Sequence, residues 1–139
     1  MSILPAYIDY YVGAYGKTIR IATESKHWVL LLKENIMKVR DNNIDALDVC
    51  KLPNTRHSDA IHELKLTKVS YSPMPCITTN PRNKAYFSWE QDAEEIVTLI
   101  GLIDGLLDGD SPGHQYLVYE DDGYIVELSY KEGMSGGRT

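Results

Sequence analysis

The strongest constraint on how this sequence can fold is an apolar stripe at helical spacing near its C-terminal third. Ala93, Ile96, Val97, Leu99, Ile100, Ile103, Leu106 and Leu107 recur every three or four residues, while Glu94, Glu95, Thr98 and Asp108 take the other side. This predicts an amphipathic helix over about residues 91–107 that must bury one broad face. Its first turn is rich in Asp and Glu, which suits the positive end of the helix dipole. Gly101 and Gly105 stand four apart near the edge of the polar side, compatible with a close approach by a strand or with simple tolerance near a helix end.

The segment that follows is predicted to fold back on itself. Asp122-Gly123 lies between two alternating runs, His114 to Tyr119 and Tyr124 to Lys131, and suits a two-residue hairpin turn. That turn would pair Asp121 with Tyr124, Tyr119 with Val126, Leu117 with Leu128 and Gln115 with Tyr130, giving one apolar face. The other face would carry His114, Tyr116, Val118 and Glu120 against Lys131, Ser129, Glu127 and Ile125.

Earlier in the chain, Tyr7 to Val12 and Thr18 to Ala22 read as a hairpin around Gly13-Ala14-Tyr15-Gly16. Ser25 is placed to cap a helix running to Val39, with Trp28, Leu31, Leu32, Ile36 and Val39 on its buried stripe. Asp41-Asn42-Asn43 should end it. Ala46 to Leu52 is a short strand candidate, followed by a polar loop from Pro53 to Asp59. Ile61 to Tyr71 alternates with a phase change, for which a bulge near Thr67-Lys68 would account. Pro73 and Pro75 close that strand. Ile77 starts an edge segment, and Ala85, Phe87 and Trp89 line one face of another strand. The expected fold is therefore α+β: an antiparallel sheet of about five to seven strands packed by two helices, in the order β-β-α-β-β-β-α-β-β. One domain over residues 1–132 is expected, with a frayed tail from 133 to 139.

A chain of 139 residues with 43% hydrophobic and 24% charged side chains can bury a sizeable core and needs no disulfide staple. No apolar run approaches the roughly 20 residues of a membrane span. Residues Met1 to Tyr10 show no basic region followed by an apolar stretch, so a soluble, cytoplasmic protein is expected, with Cys50 and Cys76 as reduced thiols.

The net charge of −6 is unevenly placed. Residues 1–70 hold ten Lys/Arg against eight Asp/Glu, whereas residues 71–139 hold four against twelve. Between Lys84 and Lys131 there is no Lys or Arg, while eleven carboxylates fall there, including Asp104, Asp108, Asp110, Glu120, Asp121 and Asp122. Such a stretch repels phosphate backbones and attracts basic surfaces. Neither a nucleic-acid nor a membrane partner is expected.

Candidate chemistry is sparse. His57 and His62 are spaced H-x4-H in a loop-to-strand segment, which aligns them neither on a helix turn nor on a strand face, so no metal site is expected there. His114 follows Gly113 at the mouth of a strand near Asp110, where an imidazole serves either as an acid or base or as a loop-holding hydrogen-bond group. No nucleophile elbow, phosphate loop, dinucleotide fingerprint or zinc-protease helix is present, and no cofactor is expected. Ten tyrosines against one phenylalanine favour recognition surfaces, tyrosine combining large contact area with a polar tip.

Phe87-Ser88-Trp89-Glu90 before the acidic helix, then Ser111-Pro112-Gly113-His114-Gln115-Tyr116-Leu117 and the final strand Ile125-Val126-Glu127-Leu128-Ser129-Tyr130, resemble small proteins of bacterial toxin and immunity gene clusters. The resemblance implies a cytoplasmic inhibitor that neutralises a cognate toxin by contact, commonly by covering a basic cleft with acidic residues. The contact residues expected here are Asp104, Asp108, Asp110, Glu120, Asp121, Asp122 and Tyr116. Two other readings stand beside it: a small enzyme using His114 with a neighbouring carboxylate, and an adaptor that self-associates through the mixed face of the closing hairpin.

Overall fold

The computed structural model describes residues 4–133. The chain opens with strands β1 (Ala6–Gly13) and β2 (Gly16–Thr23), then helix α1 (Lys26–Arg40). Five strands follow: β3 (Ala46–Asp48), β4 (Thr55–His57), β5 (Glu63–Lys68), β6 (Ile77–Asn80) and β7 (Asn83–Gln91). Helix α2 (Ala93–Leu107) leads into the closing hairpin of β8 (Gly113–Tyr119) and β9 (Tyr124–Tyr130). The class is α+β with two helices, as expected, but five strands rather than three lie between the helices.

The expectation of one antiparallel sheet is corrected. There are two mixed sheets, a five-stranded one ordered β4-β1-β2-β9-β8 and a four-stranded one ordered β3-β5-β7-β6. Three pairings are parallel: β1 with β4, β2 with β9 and β5 with β7. Hairpin turns are local signals, whereas a parallel pair joins segments far apart in the chain and leaves no turn motif to read. Strand β4 lies inside the stretch read as a polar loop. Only its backbone pairing to β1 makes it a strand, because Arg56 and His57 are exposed and carry no apolar alternation.

Local rules explain most of the helix ends. Ser25 accepts from the backbone N–H of Trp28 at 3.1 Å and caps α1. Asn42, in the left-handed region at φ 61°, ends it. Asp92 caps α2 by accepting from Glu95 N–H at 2.9 Å, which holds its carboxyl below the usual range. The helix thus starts two residues later than the stripe suggested. Val97 is exposed, and the buried face narrows to Ile96, Leu99, Ile100 and Ile103, because α2 packs mainly on α1 and β8. On α1, Val29 takes the buried place expected of Leu31. Among the described residues no helix is long and apolar enough to cross a membrane.

One buried cluster joins both sheets and both helices. Tyr10, Phe87 and Tyr124 form its aromatic bridge: Tyr10 and Phe87 lie 5.1 Å apart, and Phe87 meets Tyr124 edge-on at 5.7 Å. No bulge near Thr67-Lys68 is needed, because β5 stops at Lys68 and Tyr71 stands in solvent.

The closing hairpin also departs from its expected register. Gly123 N–H donates to Glu120 O, and Asp122 takes φ 57°, so the loop is Asp121-Asp122-Gly123. That extra loop residue places Tyr119 opposite Ile125 and Val118 opposite Val126, sending Val118 inward and Tyr119 outward. A bulge at Leu117 then restores the alternation, with Gln115 opposite Leu128 and His114 opposite Ser129. The frayed tail expected from 133 onward lies, apart from Gly133, outside the described residues.

Two substitutions test this packing. Phe87→Ala should cost about 3–5 kcal/mol in urea unfolding, since it empties the bridge between the sheets. Gly101→Ala should stabilise by about 0.5–1 kcal/mol, because a methyl group there meets no atom within 4 Å. An equal loss at both positions would contradict the assignment of faces.

Candidate functional site

The residues that can act on a ligand gather on the outer face of the five-stranded sheet. Pairing of β1, β2, β9 and β8 produces successive cross-strand rows there. One row runs Asp9, Arg20, Glu127, Tyr116, and the next runs Tyr11, Thr18, Ile125, Tyr119. Arg20 is 1% exposed, its Nε 3.5 Å from Glu127 Oε2 and its Nη2 3.1 Å from the carbonyl of Gly133. Ser129 Oγ donates to the same oxygen of Glu127. Beyond β9, Lys131 adopts φ 59°, and Glu132 reaches His114, whose Nδ1 lies 2.9 Å and 3.2 Å from its two carboxylate oxygens. An open hollow of about 310 Å³ sits beside this group, lined by Tyr11, Tyr15, Thr18, His114, Tyr116 and Glu127 among others.

This hollow contains only two of the residues singled out from sequence, His114 and Tyr116. Tyr116 packs edge-on against His114 at 5.2 Å and against Tyr119 at 5.5 Å. Burial, followed by the charge of Glu127, raises the Tyr116 phenol above its ordinary range. Arg20, Glu127, Glu132, Tyr15 and Tyr119 are not among the contact residues expected from sequence. Arg20 had one legible signal, a charge set between Ile19 and Ile21 in a strand otherwise apolar on both sides.

The expected acidic contacts fall into two groups at opposite ends of β8, about 20 Å apart at strand rise for seven residues. At the α2 end, Asp104 is paired with Lys33 at 2.6 Å. Asp110 accepts from Tyr130 Oη and from Lys131 Nζ at 3.0 Å, and Lys26 Nζ donates to the carbonyl of Gly109. Asp108 is exposed. Cations supplied from α1 and from Lys131, just past β9, therefore offset much of this group. At the other end, Glu120 Oε2 accepts from Cys76 N–H at 3.0 Å, tying the hairpin loop to the start of β6. Asp121 and Asp122 project into solvent. A second hollow, of about 410 Å³, is lined there by Lys17, Met74, Tyr119, Asp121 and Asp122 among others.

Cys50 and Cys76 are both free and buried, and burial, with Asp48 near one and Glu120 near the other, pushes each thiol up to about 12. Thiols in that state are poor nucleophiles at neutral pH. His57 and His62, expected to be unaligned, have their rings 5.3 Å apart, and His62 stacks on Tyr86 at 6.2 Å. Among the described residues, the one group of three metal-ligating side chains within mutual reach is His114, Glu127 and Glu132.

No family model, curated protein or solved structure matches this chain.

Hydrogen bonds from Tyr130, then from Lys131, hold the Asp110 carboxyl below its ordinary range. A carboxyl lowered on folding stabilises the folded state above the ordinary value of about 4, and that contribution disappears as pH falls through the lowered value. Asp110→Asn should therefore melt below wild type at neutral pH, with the gap closing as pH falls through the lowered carboxyl range. Melting curves across that range check it, and a gap independent of pH would contradict it.

Proposed function

We propose that the protein is an immunity-type inhibitor that neutralises a cognate toxin by direct contact with a basic surface. The contact region is the end of the five-stranded sheet where the β1–β2 and β8–β9 turns lie side by side, brought together by the pairing of Lys17 with Tyr124. One observation carries this reading: Met74 and Tyr119 stand 91% and 56% exposed in the hollow lined by Asp121 and Asp122, and Tyr15, 77% exposed, lines the neighbouring hollow with Tyr116. Large side chains left in water at one place, mixed with carboxylates, are what an interface requires before its partner arrives. The aromatic and thioether groups supply area that a partner desolvates, at about 25 cal/mol per Å². The carboxylates steer a basic partner and set its orientation.

This reading narrows the contact surface. Asp121, Asp122 and Tyr116 belong to it directly, and Glu120 serves by fixing the loop through Cys76. Asp104 and Asp110 are matched by lysines of the same chain and contribute to the outer field weakly. Recognition is favoured over catalysis by the setting of His114, whose side chain is 41% exposed at the side of an open hollow, so that a reacting group there stays in contact with water.

Coexpression with a toxin encoded beside this protein's own gene tests the proposal. Wild type should restore growth, while the combined Tyr119→Ala, Asp121→Lys and Asp122→Lys variant should not. Calorimetry on the purified pair should show at least a tenfold loss of affinity, about 1.4 kcal/mol, and weaker salt dependence. These side chains are exposed, so the melting temperature should hold. Equal protection by the variant would rule this surface out.

A further inference from the structure

We propose that His114, Glu127 and Glu132 form a binding site for one divalent transition-metal ion of the zinc class. Their candidate donor atoms all lie within 4.8 Å of one another. Zinc–nitrogen and zinc–oxygen bonds of about 2.0–2.2 Å at tetrahedral angles place two donors about 3.3–3.5 Å apart. His114 Nδ1 already stands 2.9 Å and 3.2 Å from the Glu132 oxygens, so capture of an ion needs only small shifts of these two side chains.

The backbone explains why the three meet. Register sets His114 opposite Ser129 and Tyr116 opposite Glu127, making His114 and Glu127 diagonal neighbours on adjacent strands. The left-handed Lys131 then turns the chain so that Glu132 returns over the same face. Glu127 is itself held: Ser129 Oγ donates to its Oε2, and Arg20 Nε lies 3.5 Å from that oxygen. The Ser129 hydrogen bond and the Arg20 ion pair both engage Oε2, an outer hold of the kind that orients a metal-binding carboxylate. The adjoining hollow of about 310 Å³ gives the ion access and room for a water ligand.

The donor set selects the class. One imidazole nitrogen with two carboxylate oxygens suits zinc and its neighbours, whereas magnesium and calcium prefer all-oxygen shells. The two carboxylates attract a cation, and Arg20 moderates the affinity that Glu127 alone would give.

Calorimetric titration of the full chain with zinc chloride tests the site, with magnesium and calcium chloride as controls. We expect one equivalent of zinc, weakened at least tenfold in His114→Gln and in Glu132→Gln, with no uptake of the two controls. Cobalt(II) should give visible absorption bands that disappear in His114→Gln. His114 is exposed and Glu132 half-buried, and an unchanged melting temperature would exclude unfolding as the cause. The proposal is overturned if wild type takes up no zinc, if His114→Gln binds it equally well, or if His62→Gln alone removes binding, which would move the ion to the His57–His62 pair.

Discussion

The rest of the structure depends on the parallel ladder between β2 and β9, in which residues Lys17 to Thr23 pair in order with Tyr124 to Tyr130. It joins the opening hairpin to the closing one and places both strands in the interior of a sheet, bonded on each side. Each face of the ladder has a separate task. Ile19, Ile21, Val126 and Leu128 face the core with no measurable exposure, while Arg20 and Glu127 meet on the other side. A buried guanidinium beside a carboxylate adds little net stability, because desolvation offsets most of their attraction. Its consequence is positional: a one-residue slip would bury these charges in the core and expose four aliphatic side chains, so the register is strongly specified.

Two of the links between the second sheet and the first differ in chemistry. Tyr10, Phe87 and Tyr124 interdigitate as an apolar bridge. Glu120 crosses from the hairpin loop to the amide of Cys76. This second link bears on the proposed contact surface, since it anchors the loop bearing Asp121 and Asp122 to a different element from the one that presents Tyr15. A surface assembled from two anchored turns loses little conformational freedom when a partner docks.

Much of the local structure was legible in the sequence. Ser25 as a cap, the stripe of α2, the Gly13–Gly16 turn and the inward face of Phe87 and Trp89 all follow from propensity and period, which act over a few residues. What could not be read depends on distant partners. Strand β4 exists because β1 offers it a free edge, and the division into two sheets follows from which edges remain open after the hairpins close. The closing hairpin shows how a small local change propagates: one added loop residue turns Tyr119 outward, and a bulge at Leu117 compensates. Net charge by segment likewise concealed its own compensation, because Lys26 and Lys33 come from a helix remote in sequence to meet the end of α2. For the same reason no metal-ligand spacing marked His114, Glu127 and Glu132, which only strand pairing and the turn at Lys131 bring together.

The most direct test of this account is a map of nuclear Overhauser contacts between backbone protons of β2 and β9. The parallel ladder predicts cross-strand contacts joining Ile19 to Val126, Ile21 to Leu128 and Thr23 to Tyr130 in ascending order. Contacts running in the opposite order, or a β9 that pairs with β8 alone, would contradict it and dissolve the outer face on which both functional readings stand.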